Sequence, residues 1–322
     1  MSITIKPVRF AENGFMTRPF ALGGEGAEGL DPAVKYRSCL QNWVIDTGSE
    51  VILVDTGVPE DFPFGEPTED ATIYVGRKIK PYVEALADLG YKPEQVSKIL
   101  ITHKHADHTG ALRFFPNAQI ICSAAEAESD EIKPFNPTVA TFQDGPYYEF
   151  PASQRIADGV TYISAPGHTN GNCIVAVESD GLFYLIHGDV TYTDVAFYEN
   201  KLSVVYEDKA AARETLNRCR AFCAARPTVS GSARTRRRRW RALRRSASSI
   251  SQIRPPSSRR VRSCSRRRQE STSAPSADMC TIRPSTTASR SRTFPPTGAV
   301  RAAASPRTSS TAYKAVSETR RC

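Results

Sequence analysis

Histidine is scarce in this 322-residue chain: there are five, and none follows His187. Long apolar runs are missing too. None approaches the roughly 18 residues a membrane-crossing helix needs, which excludes a transmembrane helix. The start, Met1-Ser2-Ile3-Thr4-Ile5-Lys6, lacks a basic stretch followed by an apolar one, so the reading is no secretory signal and, by default, a cytoplasmic protein. The eight cysteines form no CxxC pair and no dense framework. Reduced thiols are therefore expected rather than a disulfide scaffold. Cys219 and Cys223 lie four apart on a predicted helix, a spacing that suits packing. Lysine all but vanishes after residue 229, where only Lys314 remains.

That last scarcity divides the chain. Its net charge of +9 combines two unlike compositions. Residues 230–322 hold 23 of the 43 basic residues and three acids, Glu270, Asp278 and Glu318; residues 1–229 hold 20 bases and 31 acids. The acidic balance of the first part argues against nucleic acid as its substrate. Its apolar content, by contrast, suffices for a core. The domain organisation read here is a folded domain over 1–229 and an Arg/Ser/Pro/Ala-rich tail over 230–322.

In the first part, a strand is predicted from Ile3 to Phe10, followed by the Gly-rich loop Gly23-Gly24-Glu25-Gly26. Asn42–Asp46 and Val51–Asp55 form a hairpin turning at Thr47-Gly48-Ser49-Glu50. It ends in Asp55-Thr56-Gly57, a carboxylate that suits support beneath a metal site or, equally, a turn aspartate satisfying backbone N–H groups. Residues 58–72 read as a surface loop. Helical spacing runs from Tyr74 to Leu89 and stops at Gly90. Val96–Ile101 is a buried strand, a short helix is predicted from His108 to Pro116, and Ala118–Cys122 is another strand. Residues 123–150 read as a helix and an irregular aromatic loop. Val160–Ala165 is a strand. Cys173–Val177 and Leu182–Ile186 form a second hairpin turning at 178–181. Asp208 caps a helix to Ala225, and Arg226–Val229 begins one more strand.

The chemistry concentrates in Thr102-His103-Lys104-His105-Ala106-Asp107-His108-Thr109-Gly110, directly after a strand. Imidazoles and a carboxylate are ligands for zinc or a similar divalent ion. His103 and His105 can point the same way from an extended loop, while Asp107 and His108 fall on the next turn and can face a second ion. The theme recurs twice. Pro166-Gly167-His168-Thr169 follows the strand ending at Ala165, and His187-Gly188-Asp189 follows Ile186. Each time a polar ligand succeeds an apolar strand beside a glycine, so strand ends on one edge of a sandwich bring the loops together. All five histidines fit this pattern, which sets aside a chance surface cluster.

These residues resemble the metallo-β-lactamase superfamily over about residues 1–229. The HxHxDH motif stands as His103, His105, Asp107 and His108, with Gly167-His168 and Gly188-Asp189 following. The resemblance implies an α/β fold, an αββα sandwich with a binuclear site for two divalent ions, zinc foremost, with iron, manganese or cobalt also compatible. His103, His105 and His168 would hold one ion, Asp107 and His108 the other, and Asp189 would bridge them. Within the superfamily the chain looks most like the N-acyl homoserine lactone lactonases. Tyr192, three residues after Asp189, matches a tyrosine those enzymes use at the substrate carbonyl. The implied reaction is attack on a lactone or ester carbonyl by a water that the ions activate, with Asp107 and Tyr192 as catalytic residues, a small-molecule substrate and no membrane partner. A glyoxalase-II-like thioesterase, another metallo-hydrolase, or an inactive remnant are the alternatives. His187 is read as a packed histidine beside the site.

One departure matters. The resemblance implies a further histidine for the second ion, at the end of the strand begun by Arg226–Val229. Here Ser230-Gly231-Ser232 follows, then the arginines 236–239. The second site is therefore expected to be one ligand short and weakened. Residues 230–322 have no sustained periodicity and few large aliphatics, which predicts disorder. Three readings of the segment stand: non-specific nucleic-acid binding through the Arg tracts 236–239 and 266–268, a solvated tail, and, favoured, translation in the wrong frame. The last fits an Arg-heavy, Lys-poor composition beginning inside a predicted strand. The sequence does not give the oligomeric state.

Overall fold

The computed structural model describes residues 3–65, 74, 76–226 and 228–231. The expectations for the Arg-rich segment beyond Gly231 (disorder, nucleic-acid binding and the reading frame) lie outside the described residues, as does much of the predicted loop 58–72.

The strands are β1 (Thr4–Thr17), β2 (Lys35–Asp46), β3 (Val51–Val54), β4 (Arg77–Lys78), β5 (Val96–Leu100), β6 (Gln119–Cys122), β7 (Thr138–Val139), β8 (Ser153–Ala157), β9 (Val160–Ser164), β10 (Cys173–Ser179), β11 (Leu182–Ile186) and β12 (Thr228–Gly231). The helices are α1 (Arg18–Leu22), α2 (Tyr82–Ala87), α3 (Ala106–Thr109), α4 (Ala124–Ala127), α5 (Asp194–Glu199) and α6 (Lys209–Ala225). A mixed sheet runs β4-β1-β2-β3-β5-β6-β7, and a second runs β12-β11-β10-β9-β8.

Both sheets are covered on both faces, which is why their central strands are continuous apolar runs rather than alternating ones. Successive side chains take opposite faces. Trp43, Ile45, Ile52, Val54 and Leu100 meet Val160, Tyr162, Val175, Val177 and Ile186 between the sheets. Their neighbours Val44, Leu53 and Ile99 pack with Tyr82, Ala85 and Leu86 of α2. Ile163, Ile174, Ala176 and Leu185 pack with Phe197 of α5 and Leu216, Cys219 and Phe222 of α6. The result is the αββα sandwich. Each fully buried large side chain contributes about 1.5–3 kcal/mol of burial free energy.

The two predicted hairpins form. Asp46 pairs with Val51 across the first. Ser179 pairs with Leu182 across the second, whose two-residue turn Asp180-Gly181 has both φ angles positive, as a turn matching the strand twist requires. Asp208 caps α6, accepting from Ala211 N at 2.9 Å. Strand β12 lies parallel to β11 and runs through Ser230 and Gly231, which pair with Leu185 and Ile186. The five cysteines among the described residues are free, and Cys219 packs in the outer core.

Three predicted elements differ. The helix drawn from Tyr74 shrinks to α2: Arg77 and Lys78 pair with β1 instead, and Pro81, lacking an N–H, marks the helix start, leaving Ile79 exposed. β1 outlasts its prediction by seven residues, because register shifts near Arg9 and Glu12, the latter ending at Gly14 with φ +82°, bend it without ending its pairing to β2. The short helix predicted from His108 begins at Ala106 with His105 at its N-cap position, and Leu112–Phe114 forms a separate helical turn. No helix among the described residues is long and apolar enough to cross a membrane.

Candidate metal centre

The ligand-type residues collect where β3, β5, β9 and β11 end. β5 delivers Thr102 and His103; the one-turn helix α3 then turns Asp107 and His108 inward, both buried. The turn after β3 underpins α3. Thr56 N donates to His108 O at 2.7 Å, and Gly110 N donates to Gly57 O at 2.7 Å. The loop after β9 brings His168, and the loop after β11 brings Asp189.

His103, His105 and His168 place ligand atoms within 4.8 Å of one another, and so do His103, His108 and Asp189. His168 Nε2 stands 3.1 Å from His105 Nδ1. The two Asp189 oxygens face different histidines: Oδ1 lies 3.7 Å from His108 Nε2 and Oδ2 lies 3.8 Å from His168 Nε2. Asp107 Oδ2 lies 3.7 Å from His108 Nε2. All six residues singled out as ligands therefore converge.

What surrounds them decides which nitrogen each histidine presents. His108 Nδ1 donates to Asp55 Oδ2 at 2.7 Å, and Asp55 also accepts from Thr102 N at 2.7 Å and Thr102 Oγ1 at 2.8 Å. His168 Nδ1 donates to Val205 O at 3.1 Å. Each contact leaves Nε2 facing the cluster. Of the two readings of Asp55, the support beneath the site is the one its contacts match.

Two observations test whether a cation fits. His103 Nε2 and His108 Nε2 are buried and find no hydrogen-bond partner among the described residues, a cost unless something else binds them. Burial, with the neighbouring imidazoles His108, His168 and His105, holds His103 well below the ordinary histidine pKa; burial takes His168 down to about 4. These two rings are neutral at physiological pH, so each can offer a nitrogen lone pair to a cation. Burial opposes charge on His108 as well, but the carboxylates of Asp55, Asp107 and Asp189 outweigh it and raise its pKa. Neutral imidazoles beside buried carboxylates suit a divalent ion.

Tyr192 is buried, with its ring stacked on Phe20 at 5.7 Å and edge-on to the His168 ring at 6.1 Å. His187 stacks on Phe197 at 5.2 Å, and burial lowers its pKa to about 4; packing beside the site, as predicted, describes it. One contact had no signal in the sequence: Tyr74 OH donates to Asp107 Oδ1 at 2.9 Å, while Tyr74 N donates to the buried Asn13 Oδ1 at 2.8 Å. Tyr74 lies 33 residues from Asp107, and nothing in its local pattern announces the pairing.

A sandwich with a histidine-carboxylate cluster at its strand ends defines a metallo-hydrolase. The chain belongs to the metallo-beta-lactamase superfamily, whose family model matches residues 41–236. An N-acyl homoserine lactonase of Bacillus cereus is 28% identical over 184 residues, covering 55% of this chain and 73% of that protein. Among solved structures, an N-acyl homoserine lactone hydrolase with N-hexanoyl-L-homoserine at its catalytic metal centre superposes with a TM-score of 0.57 at 20% identity, over 72% of this chain and 92% of that one. A dizinc quorum-quenching lactonase superposes with a TM-score of 0.51 at 14% identity, over 72% and 86%. At these identities the structural likenesses concern the fold.

Proposed function

We propose that this protein opens the ring of lactones of the N-acyl homoserine type, using two divalent ions, zinc foremost. The observation that carries the reading is the convergence of His103, His105, His168, Asp107, His108 and Asp189, with Tyr192 on the same wall. The curated lactonase relative supports the substrate class. His103, His105 and His168 would hold one ion, Asp107 and His108 the other, and Asp189 would lie between them. Bound there, the ions would acidify a water and polarise the carbonyl.

The chain's own residues do the rest. Asp55 and the Val205 carbonyl hold His108 and His168 in the tautomer that turns Nε2 inward. Asp107, steadied by Tyr74, can take the proton that the attacking water loses. Tyr192, whose ring meets the His168 ring edge-on, would donate a hydrogen bond to the carbonyl oxygen as negative charge develops there. Water adds to the carbonyl carbon, the ring C–O bond breaks, and the products are a carboxylate and a free hydroxyl. In the same proposal, residues 1–229 form the enzyme domain, and residues 230–322 come from an out-of-frame translation.

Hydrolysis of a homoserine lactone by the zinc-supplemented protein, followed by acid release, tests this. Tyr192→Phe should lower kcat about 100-fold, the scale of losing one oxyanion donor. Faster turnover of a thioester than of the lactone would favour the thioesterase alternative. No turnover of either at full zinc loading would leave the inactive remnant.

A further inference from the structure

We propose that Glu126 is a positioning residue: its carboxylate fixes the distance between the loop carrying His103 and His105 and the loop carrying His168, and so sets the affinity of the first metal site. The inference rests on the metal-dependent reading above.

Glu126 sits on α4, the single helical turn after β6, and is fully buried. Its oxygens accept from residues beside the ligands in the chain, two backbone N–H groups and one hydroxyl. Oε2 accepts from Lys104 N at 2.6 Å, the residue between His103 and His105. Oε1 accepts from Thr169 Oγ1 at 2.7 Å, the residue after His168, and from Gly171 N at 3.0 Å. One loop belongs to the seven-stranded sheet and the other to the five-stranded sheet, so this carboxylate spans the two layers at the site. All three partners are donors, and the two carboxylate oxygens can accept from all of them together.

The surroundings are built around this span. Ser123, which caps α4, donates to Gly171 O at 2.7 Å. A side chain at Gly171 would displace these ties, since a Cβ there would stand 2.4 Å from Ser123 Oγ and 2.6 Å from Glu126 Oε1. On the outer side, Lys104 Nζ pairs with Glu207 Oε1 at 2.7 Å, and Glu207 accepts from Asn170 N at 2.7 Å. The same two loops are tied twice, once in the core and once near solvent. A buried carboxylate is costly to desolvate, and an apolar side chain would fill the space more cheaply. Its place at the junction of both ligand loops accounts for a charged group here.

The test measures metal binding, not turnover. The full-length protein and its Glu126→Gln variant are titrated with zinc against a chromophoric chelator, and with cobalt for the absorption bands of the bound ion. Glutamine offers one oxygen to three donors, so one loop loses its tie. Zinc affinity should fall about 10-fold or more, the usual scale for supporting contacts around a metal, and the cobalt bands should shift. Thr169→Val, which removes one donor and keeps the volume, should lose several-fold and covers the case in which Glu126→Gln does not fold. Wild-type zinc affinity in a folded Glu126→Gln, or in Thr169→Val when the former does not fold, overturns the inference. A parent protein that binds zinc but opens no lactone would defeat the functional proposal while leaving this inference intact.

Discussion

Asp55 Oδ2 and His108 Nδ1 lie 2.7 Å apart, 53 residues distant in the chain and both buried. The contact points His108 Nε2 at the cluster, so the turn after β3 governs a proposed ligand on α3. Asp55→Asn keeps the shape but offers one acceptor where Thr102 N, Thr102 Oγ1 and His108 Nδ1 now share two oxygens. A buried donor left unpaired costs about 1–3 kcal/mol. Metal affinity should fall about 10- to 100-fold, read by chelator competition. Unchanged affinity would mean that Asp55 only satisfies its turn.

Gly167 needs both its backbone freedom and its missing side chain. Its φ is +138°, and a Cβ would stand 2.2 Å from Ala212 N and 2.3 Å from Ala212 Cα, in the backbone of α6. Gly167→Ala must push α6 off the loop that carries His168, and should cost about 2 kcal/mol or more. Gly48 is the control. Its φ is +85°, but nothing lies within 4 Å. Gly48→Ala should cost only the backbone strain, about 1–2 kcal/mol, and leave metal binding alone. Denaturant melts of the two variants compare them; equal losses, with unaltered metal binding in both, would refute the steric account of Gly167.

Arg213 of α6 donates from Nε to Glu25 Oε1 at 2.9 Å and from Nη1 to Asn200 Oδ1 at 2.8 Å, tying the Gly-rich loop to the outer helices. The hydrogen bond from Arg213 lowers the Glu25 pKa below the ordinary carboxylate value of 4.5, against a smaller opposing effect of burial. A carboxyl that ionises more readily in the folded chain adds stability above the unfolded value and loses it as pH falls through the folded one. Glu25→Gln should therefore lower Tm at pH 7 by about 1–3 °C, the scale of a partly exposed pair. The gap should close as pH falls below 4.5. A gap that widened in acid would reverse the assigned sign.

The cluster that the structure brings together was legible because strand-end loops concentrate donors that surface loops seldom combine, as at His103, His105 and Asp107. The central strands were legible because both faces are buried, as at Val51–Val54. Long-range carboxylate contacts were not. Ser123-Ala124-Ala125-Glu126 has the spacing of a helix start, but nothing local says that Glu126 reaches Gly171, 45 residues on. The α2 boundary was lost because Ile79 keeps helical spacing while Arg77 and Lys78 pair with β1.

The second ion gives the sharpest test of what this chain lacks. β12 runs beside β11 to Gly231, opposite Ile186, one residue short of His187 and three short of Asp189. The resemblance implies a histidine for the second ion at the end of this strand. The chain has none after His187. On the proposed assignment, Asp107, His108 and Asp189 would remain for that ion, against three histidines and Asp189 for the first. Metal analysis after dialysis against a weak chelator should therefore find about one tightly held ion per chain, the second leaving first. Resequencing codons 226–236 examines the frame. If a corrected frame encodes a histidine shortly after Gly231, that chain should retain two ions and turn over lactone faster. Two tightly held ions in the chain as it stands would show that the second site needs no such histidine.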